Sequence, residues 1–374
     1  DIIYRDLLMK NNIVVLGPNP SLYGGISQYV SGILNSPLKD RYNLIHCEIG
    51  IGKYGKPGFI HSVIRMLKQL FNFFNILNAK KVSLVHIHTA SWRSFWRYSF
   101  FMFLLKLCNR KVVLHMHGAK FKEFYLGHSF LGRYLVRSVL EISDTMILLS
   151  QIWFSFFDKV VPSISKAVIE PTVPMAQEDF LKFDPSMKYN HENSKVKVLY
   201  FGGISERKGL RTIIESSQLL RNQPRIHFTV AGAVQKSELS LAKDLIINSQ
   251  NLGDKFKIIF DVDNKEKIKL FSESHIYILP SFAEGLPATL MEAMSYQLPV
   301  ITTPVGSIPE VIGKRNGILI DPSNSSELAH AISKLSGDFA LCKDMGLANQ
   351  KKVIRDFNYL DMFKKIDTVY QSQF

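Results

Sequence analysis

The sequence predicts an α/β protein of two doubly wound, Rossmann-like domains whose parallel sheets face each other across a cleft. Three observations carry this expectation. Short apolar runs alternate with helical patterns along the whole chain, and Gly or Pro stands at the ends of the runs, which is the signature of parallel βαβ units. The 374 residues suffice for two cores. A polar, irregular segment, Met175 to Ser194, falls near the middle. The expected division is 1–170, a linker at 171–194, a second domain at 195–355, and a final helical segment at 356–374.

Composition narrows the classes. Hydrophobic content of 46% and charged content of 21% belong to a globular chain. Cys47, Cys108 and Cys342 are widely spaced, form no metal-binding pattern, and read as reduced thiols of a cytoplasmic protein. The start, DIIYRDLLMKNN, lacks the apolar core of a signal peptide. The apolar run Phe100 to Leu105 is too short to span a bilayer. Residues 1–170 hold 21 Lys and Arg against 9 Asp and Glu, an excess of 12, while the remainder holds 25 against 23. That asymmetry points to an acidic surface or substrate at the first half.

In chain order, Asn12 to Leu16 reads as a first buried strand, and Tyr23-Gly24-Gly25-Ile26-Ser27 leads into a helix over Gln28 to Leu34. Two glycines there let backbone approach a ligand closely. Strands are expected at Asn43 to Ile49 and Leu84 to Ile87, separated by an amphipathic stripe of Phe59, Val63, Met66, Leu67, Leu70, Phe73, Phe74 and Leu77. A second stripe follows at Trp92, Phe95, Trp96, Phe100, Phe103, Leu104 and Leu107, with Arg93, Arg97 and Lys106 between. Most of both stripes is expected to pack on the sheet, with rim aromatics and basic residues free to touch lipid. Lys111 to Met116 forms the next strand and ends at His117-Gly118. Ligands of open α/β sheets bind beyond strand carboxyl ends, so His117 is expected to face the cleft. Alternation puts His115 and His117 on one side. His86 and His88 lie in the same region, and no carboxylate or cysteine completes a metal site with these histidines at usual spacing. Thr145 to Leu149 and Ala167 to Pro171 close the first half.

The second half opens on a strand, Lys195 to Gly203, then Ser205-Glu206-Arg207-Lys208-Gly209 and a helix over Leu210 to Leu220. Arg207 and Lys208 stand where two cations would neutralise a diphosphate. Strands are expected at His227 to Ala231 and Lys257 to Val262. The D-x-D formed by Asp261 and Asp263 sits at a strand end. Ile276 to Leu279 is a further strand, and the stretch after it, SFAEGLPATLMEAMSYQLPVITTPVGSIPE, is the most informative in the chain. Glu284 and Glu292 are separated by seven residues. Pro287 suits a first helical turn and Ala288 to Met294 are good helix formers. Backbone N–H groups from Gly285 through Leu286 and Pro287 to Ala288 and Thr289 mark an anion site at the helix start. Carboxylates beside it would repel phosphate and are suited to accept hydrogen bonds from sugar hydroxyls. Gly317 to Ile320 is a last strand, followed by helices at Glu327 to Leu335 and Tyr359 to Gln371.

The E-x7-E of Glu284 and Glu292, the E-G-L-P at Glu284, and the V-G-S-I-P-E that follows resemble the retaining glycosyltransferases of family four (GT4), which have the fold called GT-B. Ser307 stands where the family has a second glycine. The basic pair before Gly209 resembles the family's phosphate loop, although the arginine many members carry five residues before the lysine is replaced here by Gly203. The resemblance covers nearly the whole chain. It implies donor binding by Gly24, Gly25, Arg207, Lys208, Asp261, Glu284, Gly285, Leu286, Pro287, Ala288 and Glu292, and catalysis through His117, Glu284, Arg207 and Lys208. It also implies no metal and no cofactor, and a final helix that crosses back to the first domain.

The expected activity is therefore transfer of a hexose-type sugar from a UDP-sugar, or a GDP-sugar, to a carbohydrate or lipid-linked acceptor in bacterial surface polysaccharide or glycolipid synthesis. The expected place is the inner face of the cytoplasmic membrane, with an anionic lipid surface as partner of the first domain. Rival readings are a nucleotide-sugar epimerase of the same fold and a membrane-binding module without transferase activity. A nucleic-acid binder is disfavoured, because the aromatics have helical spacing and no recognition motif is present.

Overall fold

The computed structural model describes residues 10–22, 24–50, 59–170, 189, 195–234 and 238–374. Apart from Tyr189, the expected linker at 171–194 lies outside these residues. The chain divides into two compact units, Asp1–Glu170 with Leu360–Phe374, and Pro171–Tyr359.

In the first unit the elements are β1 (Asn12–Gly17), α1 (Gly25–Leu34), α2 (Leu38–Arg41), β2 (Asn43–Glu48), α3 (Phe59–Ala79), β3 (Val82–Thr89), α4 (Arg93–Leu107), β4 (Lys111–Met116), α5 (Phe121–Leu126), α6 (Phe130–Leu140), β5 (Thr145–Leu148), α7 (Gln151–Val160) and β6 (Ser165–Val168). The six strands pair in parallel in the order β2-β1-β3-β4-β5-β6. The chain leaves β1 first to one side and then to the other, so the point where strand order reverses lies between β1 and β3. One face of the sheet, including Val85, Ile87, Val112 and Leu114, packs with Phe73, Phe101, Phe121 and Phe157 in an aromatic core.

The second unit runs β7 (Val196–Phe201), a 3-10 turn at Glu206–Lys208, α8 (Leu210–Leu219), β8 (Ile226–Gly232), α9 (Leu239–Ser249), β9 (Phe256–Phe260), α10 (Asn264–Glu273), β10 (Ile276–Leu279), α11 (Ala288–Ser295), β11 (Val300–Thr302), α12 (Ile308–Val311), β12 (Gly317–Leu319), α13 (Ser325–Ser336) and α14 (Phe339–Asp356). Its sheet has the order β12-β11-β10-β7-β8-β9, again all parallel. Here the reversal falls between β7 and β10. The last helix, α15 (Tyr359–Gln371), joins the first unit from Leu360 onward. The boundary expected at 355/356 therefore lies a few residues later, because α14 continues to Asp356 before the turn at Phe357 and Asn358.

Two features of the first unit depart from the sequence expectation. The buried face of α4 is Phe95, Tyr98, Phe101, Met102 and Leu105, while Phe100, Phe103 and Leu107 are exposed. Apolar residues surround this helix on all sides, so spacing alone could not choose the face. On α3, Phe73 and Leu77 are buried, whereas Val63, Ile64, Met66, Leu67, Phe71 and Phe74 are exposed. The described apolar side chains from Val63 to Leu67 thus contribute little to the core.

The return of α15 is fixed by polar and apolar contacts together. Asp367 accepts hydrogen bonds from Arg41 and, at 2.6 Å, from the Tyr42 hydroxyl. Lys365 pairs with Glu170 at 3.1 Å, and Ile366 and Tyr370 are fully buried. Deleting a buried side chain leaves a cavity that the surroundings fill only in part. Ile366→Ala should therefore destabilise the first unit by about 2–4 kcal/mol, read as an earlier urea transition of that unit with the second unit's transition unchanged.

Candidate functional site

The site of the second unit is assembled by strand adjacency. β7 and β10 are neighbours, with Val198 opposite Ile276 and Leu199 opposite Tyr277. The loops at their carboxyl ends are 76 residues apart in sequence and meet in space. Arg207 O accepts a hydrogen bond from Phe282 N at 2.8 Å, and Arg207 Nη1 donates to Ala283 O. Gly209 has φ +74°, and a Cβ there would collide with the Pro280 carbonyl. Only glycine combines that left-handed conformation with so close an approach.

This packing delivers both cations to one carboxylate. Lys208 Nζ donates to Glu284 Oε1 at 2.6 Å, Ser281 Oγ donates to the same oxygen at 2.8 Å, and Arg207 Nη1 lies 3.5 Å from Oε2. Glu284 is buried, Lys208 nearly so, and the Arg207 side chain is 42% exposed. The sequence reading assigned the cations to phosphate and Glu284 to sugar hydroxyls; the structure brings the three together as one network. A buried carboxylate needs such partners, since desolvating an unpaired charge is costly.

Glu292 sits on the second turn of α11 and is also buried. Its Oε1 accepts from Lys267 Nζ of α10 at 2.7 Å. Sequence reasoning missed Lys267, because nothing in NKEKIKLF sets it apart from the other lysines there. Its placement follows from the helix start. Asp263, second residue of the D-x-D, caps α10 by accepting from Glu266 N at 2.8 Å. Asp261 ends β9 as an exposed residue with φ +52°, its N–H donating to Gly232 O at 3.3 Å.

Between the carboxylates, Pro287 caps α11 in an extended conformation and no side chain caps the helix start. Leu286 and Pro287 are buried, and Gly285 and Ala288 are half-buried. The first N–H groups of a helix carry partial positive charge. The Glu284-Gly285 backbone is clamped by the following turn. Gly306 has φ +58°, and a Cβ there would strike the Glu284 carbonyl. Ser307 N donates to Gly285 O at 2.9 Å. Ser307 itself has φ −95°, a conformation open to any residue, so its departure from glycine costs the turn nothing.

In the first unit, Gly24 precedes α1 with φ +145°, and Gly24 and Gly25 are exposed with open space around them. His117 follows β4, held by its N–H donating to Thr89 O at 2.8 Å. As alternation requires, His115 and His117 share a side, with ring centroids 4.3 Å apart. His86 and His88 of β3 join them. His88 Nδ1 lies 3.0 Å from His117 Nε2, and His86 Nε2 lies 3.2 Å from His115 Nδ1. Tyr29 of α1 packs edge-on against His115 and His117, and the Tyr370 hydroxyl lies 2.7 Å from His86 Nδ1. Burial pushes His117 down to about 3, and burial, reinforced by the neighbouring His117, pushes His86 down to about 3. His88 and His115 are held well below the usual range, by burial first and neighbouring histidines second. The imidazoles are therefore neutral at pH 7.

Comparison with known proteins places this geometry. Residues 184–352 match the model of the family described as glycosyl transferases group 1. The putative teichuronic acid biosynthesis glycosyltransferase TuaC of Bacillus subtilis is 29% identical over 136 residues, which is 36% of this chain and 32% of that protein. The match thus spans about a third of TuaC. The phosphatidylinositol N-acetylglucosaminyltransferase gpi3 subunit of Schizosaccharomyces pombe is 23% identical over 91% of this chain and 73% of its own. The crystal structure of Anabaena HepE in complex with UDP superposes with a TM-score of 0.73 at 18% identity, covering 97% of this chain and all of that one. The fold is GT-B. The matched segment, 184–352, holds the E-x7-E stretch and the basic loop on which the sequence resemblance rests.

The buried network makes a stability prediction. Removing the lysine strands a desolvated carboxylate, so Lys208→Met should cost about 2–4 kcal/mol in urea unfolding of the second unit. Combining it with Glu284→Gln should recover a large part of that loss. Additive losses in the double variant would show that the two side chains do not share an interaction.

Proposed function

We propose that the chain is a retaining glycosyltransferase that moves a hexose-type sugar from a UDP-sugar to a carbohydrate or lipid-linked acceptor. The observation that carries this reading is the convergence of Arg207, Lys208 and Glu284 beside the uncapped start of α11, inside the segment matched by the group 1 family. Two cations and a helix start are what a departing nucleoside diphosphate requires, and fixed positive charge at a developing anion is commonly the largest catalytic contribution. In this reading Glu284 holds Lys208 in place until the diphosphate arrives. The carboxylate then turns its hydrogen-bonding capacity to the sugar. Glu292, steadied by Lys267, receives the ribose hydroxyls. In the first unit, the exposed Gly24 and Gly25 and the neutral His117 are assigned to ligand binding by the same family resemblance. The leaving phosphate oxygen takes the acceptor proton, so attack and departure share one face, without a protein nucleophile or a metal at the phosphates. UDP is favoured by the HepE complex, and a polysaccharide or lipid-linked acceptor by the names of TuaC and the gpi3 subunit.

Calorimetric titration with UDP, GDP and their sugar conjugates in the presence of EDTA tests this directly. UDP binding is expected. A hydrogen bond to a charged group is worth about 1.5–3 kcal/mol, so Glu292→Ala should weaken binding about 10- to 100-fold. Turnover with a matching acceptor should give a product whose anomeric configuration, read by NMR, equals that of the donor. An inverted product would refute retention, and free UDP with an unsaturated or epimerised sugar would favour the epimerase.

The partner at the first unit is read as an anionic membrane surface at the inner face of the cytoplasmic membrane. None of the described helices is long and apolar enough to cross a bilayer. On α6, Phe130 is 84% exposed and Leu131 76%, with Tyr134 and Leu135 also exposed beside Arg137. Lys120 and Lys122 are exposed at the start of the neighbouring α5. Large exposed aromatics among basic residues suit a lipid headgroup region. This face adds to the α3 and α4 stripes singled out in the sequence. Sedimentation with phosphatidylserine-containing vesicles should deplete the protein from solution and weaken with salt. Phe130→Ser with Leu131→Ser should reduce it severalfold; equal binding to neutral vesicles would contradict an anionic partner.

A further inference from the structure

The transferase reading uses His117 but not the three histidines packed behind it. We propose that His86, His88 and His115 form a binding site for one divalent transition-metal ion, of which Zn2+ is the best match. All three ligands belong to the first unit.

The sheet builds the cluster. β3 and β4 are adjacent and parallel, with His88 directly opposite His115. Alternation puts His86 and His88 on one face of β3 and His115 on the same face of β4. One ring nitrogen from each lies within 4.8 Å of the others. Zn–N bonds of about 2.0–2.1 Å place tetrahedral ligands roughly 3.4 Å apart, and His86 Nε2 and His115 Nδ1 are already 3.2 Å apart. Small side-chain rotations therefore close the set on an ion.

A second observation points to a missing ligand. His88 Nε2 and His115 Nε2 are buried and have no hydrogen-bond partner. Buried polar atoms are nearly always satisfied, and an orphan calls for a water or an ion. An ion bound by His88 Nε2 would satisfy one of the two, and His115 offers one ligand nitrogen, either Nδ1 beside His86 or the unpartnered Nε2. The donor set also selects the metal class. Three neutral imidazoles without a carboxylate suit Zn2+, Cu2+ or Ni2+ and not Mg2+ or Ca2+. The Tyr370 hydroxyl, 2.7 Å from His86 Nδ1, would accept that N–H and leave Nε2 as the ligand, the usual outer partner of a metal-bound histidine. An ion here would tie β3 and β4 together and, through Tyr370, tie α15 to the sheet. The sequence reading found no carboxylate or cysteine to complete a site with these histidines; the structure brings three of them together from two strands.

The test uses the full, untagged chain, stripped by chelator and dialysed. Adding Zn2+ and removing excess by gel filtration should leave one zinc per chain by elemental analysis, with a higher melting temperature. Cobalt should give the intense visible absorption of a tetrahedral site. Tyr370→Phe keeps the ring and its packing, and should weaken zinc binding about 10- to 100-fold. His115→Gln should abolish it, and His61→Gln with His128→Gln, outside the cluster, should leave it intact. Failure of wild-type protein to retain zinc and to show the cobalt band would overturn the proposal whether or not His115→Gln folds. Retention unchanged in Tyr370→Phe, or lost in the His61 and His128 variant, would overturn it equally. None of these readouts depends on transferase activity.

Discussion

The adjacency of β7 and β10 is the constraint on which the second unit's site depends. It places the loop after the first strand of the unit against the loop after the fourth, at the point where strand order reverses. Everything charged at the site follows from that contact. Lys208 reaches Glu284 because Gly209 lets the turn close on Pro280 and because Phe282 hydrogen-bonds back to Arg207. Were the two strands separated by another, the cations and the carboxylate would lie on different loops with water between them, and neither would be buried.

Burial changes what these charges do. In water, an ion pair of this kind contributes little. Here Glu284 and Lys208 are both largely removed from solvent, and each carries the other's desolvation cost. A phosphate entering beside the start of α11 would offer Lys208 a second anion at the same moment that sugar hydroxyls offered Glu284 new donors. The exchange keeps every charge partnered throughout. Arg207, largely exposed and anchored by its bond to Ala283 O, needs no such exchange and can meet phosphate directly. Glu292 is supported in the same manner by Lys267, so both carboxylates of the E-x7-E arrive already paired with a lysine from another element.

The order and type of most elements were legible because apolar runs and helical patterns alternate without ambiguity between Gly and Pro stops. The strand–loop–helix around Glu284 was legible for the same reason, reinforced by Pro287 and the helix formers after it. What escaped were facts of three-dimensional neighbourhood. The faces of α3 and α4 could not be chosen, since aromatics surround both helices and only the packed sheet decides which ones it covers. Lys267 resembles every other lysine of its helix until α10 is docked beside α11. Ser281, three residues before Glu284, was within the quoted motif, yet only the turn geometry shows its hydroxyl on Oε1. The four histidines were each visible, and alternation paired His115 with His117. Their union with His86 and His88 required the register of β3 against β4.

The two units solve the same topological problem with opposite chemistry. In each, the chain reverses strand order beside its first strand; the second unit's charged loops flank that reversal, whereas the first unit's histidines lie on β3 and on and after β4. In the second unit the gathered groups are charged: each carboxylate is paired with a lysine, and Arg207 adds one further positive charge. In the first they are imidazoles, kept neutral by burial and roofed by Tyr29 and Tyr370. A neutral histidine at the strand end can hydrogen-bond a hydroxyl as donor or acceptor. His88 Nδ1 lies 3.0 Å from His117 Nε2, so a cation held by the histidines behind would be felt at His117 through a short, low-dielectric contact. The second unit's charged groups are thus held by partners from other elements, and the first unit's imidazoles by one another and by two tyrosine side chains.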